Sequence, residues 1–143
     1  MTDDKINCVL LVDDNPATNF LNKKIIKDTG MTNNIHVALN GKEALDYIHN
    51  KAKFHDKVYP KANIIFLDIN MPVMNGFEFL EHYKDLEEEL KSGIILVFLT
   101  TSNWSKDKSK ANTNGLIFDF IEKPLSEKKF KDICQYYMDN KVN

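Results

Sequence analysis

Residues 63–76 read Asn63-Ile64-Ile65-Phe66-Leu67-Asp68-Ile69-Asn70-Met71-Pro72-Val73-Met74-Asn75-Gly76. Ile64, Ile65, Phe66 and Leu67 form an unbroken apolar run, the pattern of a strand covered on both faces. Asp68 ends it. Pro72, Asn75 and Gly76 then make a turn. Beyond the turn Phe77, Leu80, Tyr83, Leu86 and Leu90 recur at helical spacing, so one amphipathic helix is expected there. A buried strand that leads through a turn into a helix is the repeating piece of a parallel sheet.

The same piece recurs on both sides. Ile6-Asn7-Cys8-Val9-Leu10-Leu11-Val12 reads as a first strand, and Pro16 suits the first turn of a helix with Ala17, Phe20, Leu21 and Ile25 inward and Gly30 as its C-terminal cap. Residues 34–39 read as a second strand. Asn40 and Glu43 then form a capping box for a helix with Ala44, Leu45 and Ile48 inward. Gly93 opens a fourth strand over 94–99. Residues 116–121 make a fifth, and Ser126 caps a last helix with Phe130, Ile133, Cys134 and Tyr137 inward. Residues 51–61 read as a loop. Residues 105–112 should be a helix by position but carry little apolar face, so a weak helix is expected. The fold class is therefore α/β, a doubly wound five-stranded parallel sheet with helices on both faces.

Composition narrows the function. At 143 residues there is room for about one domain, spanning roughly 5–140, with no output domain visible beyond the last helix. All 19 cations are Lys, and the formal net charge is −2, so neither bidentate Arg readout of bases nor a basic stripe is available and nucleic acid is not an expected partner. No apolar run approaches the roughly 20 residues of a membrane helix, and the acidic N-terminus is unlike a signal peptide. Cys8 and Cys134 stand far apart in apolar settings and read as reduced core thiols, which places the expected location in the cytoplasm.

In open parallel sheets chemistry collects at the carboxyl ends of the strands. Strand one ends in Asp13-Asp14, strand three in Asp68, strand four in Thr100-Thr101 and strand five in Lys123-Pro124. Each alone is an ordinary turn or cap residue. Together they put three carboxylates, a hydroxyl and an ammonium at one rim. Three negative charges against one positive would repel in a partly dehydrated cleft, and a divalent cation would balance them. His36, His49, His55 and His82 are scattered, so hard oxygen ligation of Mg²⁺ is the better reading than zinc. Carboxylate, Mg²⁺, hydroxyl and ammonium make a phosphoryl-transfer set. The glycines are all isolated, so no nucleotide loop is present and the phosphoryl group should come from another phosphorylated molecule.

These residues resemble a response-regulator receiver domain of the chemotaxis-regulator type. The matching pieces are Leu10-Leu11-Val12-Asp13-Asp14, residues 67–76, Leu99-Thr100-Thr101-Ser102 and Lys123-Pro124. The resemblance implies a flavodoxin-like strand order of 2-1-3-4-5. It implies Asp68 as phosphoacceptor, and Asp13, Asp14, Asp68 and the backbone carbonyl of Asn70 as Mg²⁺ ligands. Lys123 would contact the phosphoryl group, with Pro124 in a cis peptide. Thr100, or its neighbour Thr101, would be the switch hydroxyl and Phe120 the switch aromatic. Implied partners are a sensor histidine kinase or phosphotransfer protein and a downstream protein target, with the chain a monomer or a phosphorylation-dependent dimer. Phosphorylation would alter the surface of residues 105–112, strand five and the last helix. Asn70 and Ser102 occupy positions that resemble those tuning hydrolysis. The 51–61 loop and the Leu-Thr-Thr-Ser run resemble stand-alone regulators that pair with hybrid or phytochrome-like kinases. The domain would be an autocatalytic phosphoacceptor rather than a turnover enzyme. An Asp-nucleophile phosphatase of the haloacid-dehalogenase kind would need Asp-x-Asp after strand one, but here the two acids are adjacent. A pseudo-receiver would lack part of this set.

Overall fold

The computed structural model describes residues 6–51, 59–101 and 116–140. Five parallel strands, β1 (Val9–Val12), β2 (Ile35–Ala38), β3 (Ile64–Leu67), β4 (Ile95–Thr100) and β5 (Ile117–Glu122), form one sheet in the order 2-1-3-4-5. The helices are α1 (Pro16–Thr29), α2 (Gly41–His49), α3 (Gly76–Tyr83), the four-residue α4 (Glu88–Lys91) and α5 (Glu127–Asn140). None of them is long and apolar enough to cross a membrane. The 105–112 segment and most of the 51–61 loop lie outside the described residues.

β1 and β3 are buried along their whole length because both sheet faces are covered. Alternate residues serve opposite cores. Leu10, Val12, Ile65, Leu67, Leu96 and Phe98 pack with Ala44 and Tyr47 of α2 and Phe79, Leu80 and Tyr83 of α3. Val9, Leu11, Ile64, Phe66, Val97 and Leu99 pack with Ile26 of α1 and Phe130, Ile133 and Cys134 of α5. Cys8 belongs to the first core and Cys134 to the second, so the two buried thiols are separated by the sheet and are free.

The caps are where the residues place them. Asn15 accepts from Ala17 N and Thr18 N ahead of Pro16, and Gly30 closes α1 at φ 70°. Asn40 accepts from Glu43 N, while Glu43 reaches back to Leu39 N, one residue before the cap. Asn75 and Glu78 form a reciprocal capping box at α3. Lys129 N donates to Ser126 Oγ at α5.

Two expectations are corrected. The apolar residues assigned to the inner face of α1 are not its core: Phe20 is 72% and Leu21 48% exposed, and the buried positions are Asn19, Asn22 and Ile26. The phase of the helix is set by its cap and by a bond from Asn19 to Asp13. The single helix expected through Leu90 breaks after Tyr83. Asp85 N and Leu86 N donate three residues back, and Glu87 is extended. Asp85, Glu87, Glu88 and Glu89 crowd like charges there, which opposes helix continuation. Leu86 still reaches the first core from the turn.

β5 carries an irregularity: Leu96 pairs with Ile117, but Val97 pairs with Asp119. Phe118 is the extra residue, exposed and stacked on Tyr136 at 4.1 Å. The shift sets Phe120 opposite Phe98 and Glu122 opposite Thr100, so Lys123 lies one step past the sheet edge.

Candidate functional site

The parallel register Val12↔Leu67 brings the residues after β1 and β3 side by side. Asp68 N donates to Val12 O at 2.9 Å and Asp13 N to Ala38 O at 3.0 Å, which fastens both acids to the ladder. Lys123 N donates to Thr100 O at 2.6 Å and ties the ends of β4 and β5 together. The Lys123–Pro124 peptide is cis.

From there the Lys123 side chain crosses the rim. Its Nζ lies 2.8 Å from Asp13 Oδ2 and 3.4 Å from Asp68 Oδ1. The Lys123, Asp13 and Asp68 side chains are 19%, 7% and 13% exposed, so these charges are shielded far more than a surface pair. Asp13 is held on its other oxygen by Asn15 N at 2.9 Å. Asp14 is exposed.

One carboxylate oxygen from each of Asp13, Asp14 and Asp68 lies within 4.8 Å of the others. Three hard oxygen donors with an open side suit a divalent cation such as Mg²⁺, which keeps part of its water shell. The residues therefore fit the metal that the charge count called for. Burial raises the Asp68 pKa, and the neighbouring Asp13 charge raises it further; Lys123 and the Ile69 N–H pull it back in part. Burial works against the Lys123 charge, but its bond to Asp13 and the Asp68 and Asp13 charges outweigh that and raise its pKa.

The remaining members stand close by. Thr100 is 6% exposed at the end of β4, whereas Thr101 is exposed, so only the first of the doublet is enclosed in the sheet edge. Phe120 is half-buried with its ring 5.8 Å from Phe98, which in turn meets Phe77 at 5.7 Å. Asn70 is exposed in the loop after Asp68. Gly76 N donates to Ile69 O at 2.8 Å, folding that loop back onto the site. Ser102 lies outside the described residues. A separate cavity of about 220 Å³, lined by Tyr47, Tyr59, Pro60 and Leu90 among others, sits at the amino ends of the strands and touches none of these acids.

Sequence reasoning did not find Asn19 and Asn22, which are buried beneath Asp13. Their signal was a polar pair three residues apart inside an amphipathic helix.

The receiver-domain profile of response regulators matches residues 9–135. The chain belongs to the response-regulator receiver family. Receiver domains work in two-component systems and receive phosphoryl groups from histidine kinases or phosphotransfer proteins. This receiver is 39% identical over 116 residues to a protein-glutamate methylesterase/protein-glutamine glutaminase of Desulfotalea psychrophila, covering 81% of this chain and 29% of that protein. It is 29% identical to hybrid signal transduction histidine kinase L of Dictyostelium discoideum, covering 92% of this chain and 7% of the kinase. The chain thus spans less than a third of either relative. Among solved structures, a two-component response regulator from Cytophaga hutchinsonii superposes with a TM-score of 0.81 at 29% identity, covering 95% of this chain and 99% of that one. A bacteriophytochrome response regulator superposes at 0.75 and 28% identity, covering 92% and 91%.

Proposed function

We propose that this receiver, spanning about residues 5–140, accepts a phosphoryl group on Asp68 from a histidine kinase or phosphotransfer protein and signals through a protein contact. The observation that carries the reading is the placement of Lys123 Nζ against both Asp13 and Asp68, beside three carboxylates that can share one cation.

An Asp68 oxygen attacks the phosphorus of a phosphohistidine in line. The O–P bond forms as the P–N bond breaks, and its electron pair stays on the departing imidazole nitrogen. Asp13, Asp14, Asp68 and the Asn70 carbonyl would hold Mg²⁺, which offsets the charge that gathers on the phosphoryl oxygens. Lys123, already 3.4 Å from Asp68, donates to one of those oxygens. Thr100 turns to donate to another. The space it leaves admits the Phe120 ring, and the surface of β5 and α5 changes shape. Phe120 has no hydroxyl, so its part in the switch is packing alone. The likeness to a bacteriophytochrome response regulator favours a sensor kinase of that kind as the donor.

Acetyl phosphate with Mg²⁺ tests this, read by intact-protein mass. One phosphoryl group is expected on the native chain, and none on Asp68→Asn or in excess EDTA. Full labelling of the Asn variant overturns the acceptor assignment. Rapid multiple turnover of phosphate esters would instead point to a phosphatase.

A further inference from the structure

Two amides occupy α1 where an amphipathic helix would bury apolar side chains. Asn19 is 6% and Asn22 3% exposed, one turn apart, while Phe20 and Leu21 face outward. A buried amide is costly unless its hydrogen bonds are made. Asn19 makes one: its Nδ2 donates to the main-chain oxygen of Asp13 at 2.8 Å. Its Oδ1 has no partner among the described residues. The crevice it lines together with Asn22, Asp13 and Asp68 is too tight to admit a water molecule. The amide is therefore kept there for its donor, at the expense of its acceptor.

That donor acts on a particular peptide. Asp13 is bound at both carboxylate oxygens, by Asn15 N and by Lys123 Nζ, and at its carbonyl by Asn19. The carbonyl belongs to the peptide that carries Asp14. Among the described residues no hydrogen bond holds the Asp14 side chain, so the restraint on where its carboxylate can reach is the placement of the Asp14 backbone by that peptide. We infer that Asn19 is a positioning residue: it fixes the Asp13–Asp14 peptide, aims Asp14 at the shared cation position, and so sets the Mg²⁺ affinity of the site. This rests on the metal reading proposed above. Groups that orient metal ligands from behind weaken binding by roughly ten- to a hundredfold when removed.

The test compares the native chain with Asn19→Leu, Asn19→Ala and Asn22→Leu by calorimetric titration with MgCl₂ and by thermal unfolding with and without Mg²⁺. Asn22→Leu makes the same chemical change one turn away, without the bond to Asp13. The Asn19 variants should bind Mg²⁺ at least about tenfold more weakly. The Mg²⁺ midpoint for acetyl phosphate labelling should move up by the same factor, with the final extent unchanged. Asn22→Leu should stay within about twofold of native. Native-like Mg²⁺ affinity in the Asn19 variants overturns the inference. So does an equal loss in Asn22→Leu, which would mark a packing effect, or failure of both Asn19 variants to fold, which would make Asn19 a folding residue. A native chain that binds no Mg²⁺ overturns the metal reading itself, and this inference with it.

Discussion

Gly76→Ala should loosen the site through the Asp68 main chain. Gly76 is the first residue of α3, and a Cβ built there would meet Asp68 O at 2.7 Å, Phe98 Cε1 at 2.8 Å and Ile69 Cα at 3.1 Å. Ordinary contacts begin near 3.4 Å, so something must move by about 0.7 Å. Two of the three neighbours are backbone, and the third is the ring of a fully buried Phe98, so none can swing aside. Alanine is favoured over glycine in a helix interior by up to about 1 kcal/mol, less at the first position. Forcing extra volume into a packed site costs about 1–3 kcal/mol. The clash wins, and a chain of this length should lose about 2–9 °C in Tm. The displaced atom is the carbonyl of Asp68 itself, so the carboxylate proposed as phosphoacceptor moves with it. A misplacement of about 1 Å can slow a reaction a hundredfold, and a shift of part of that should slow initial labelling by acetyl phosphate about tenfold. Thermal unfolding and initial labelling rates at saturating Mg²⁺ decide the matter. A Gly76→Ala chain that melts higher than native and labels at the native rate would refute the close approach and the coupling drawn from it.

Val73 is 77% exposed at φ 67°, inside a turn closed by Met74 N to Pro72 O at 2.6 Å. A β-branched side chain is strained there by about 1–3 kcal/mol, and Val73→Gly gives back part of that in chain entropy, so Tm should rise by a few degrees; a fall would count against strain at this turn. The raised Asp68 pKa means that the folded chain holds this proton more tightly than the unfolded chain, whose value is 3.8. That contribution to stability is complete below the unfolded value and is lost as pH rises through the folded one. In EDTA, native stability relative to Asp68→Asn should therefore decline as pH rises above about 4. Urea unfolding at several pH values measures the difference, and a native chain that gains on the variant with rising pH would show that the site favours the charged acid.

The sheet was legible because β1, β3 and β4 are buried on both faces, and continuous apolar runs of that kind need no periodicity to be seen. The acids and the lysine were legible for a different reason. Parallel topology alone carries every strand's carboxyl end to one rim, so Asp13, Asp68, Thr100 and Lys123 meet whatever their side chains do. Details of register were not legible. Nothing in residues 116–121 announces that Phe118 is skipped in the pairing, yet that irregularity sets where Lys123 leaves the sheet.

The misread face of α1 has a physical cause. Apolar spacing predicts a helix's phase only when burial of apolar area dominates, at about 25 cal/mol per Å². Here the first turn is clamped by Asn15 to Asp13, and the second by Asn19 to the Asp13 carbonyl. Both clamps end on Asp13, one residue past β1, which is itself fastened to the sheet through Asp13 N to Ala38 O. With the phase taken, Phe20 and Leu21 are turned outward and two asparagines inward. Hydrophobic patterning scores the asparagines as errors in a core. Asn19 stands where the helix gives up apolar burial to hold the Asp13 carbonyl, and a buried amide bonded behind a cluster of carboxylates is better read as a support of the site than as a flaw in the packing.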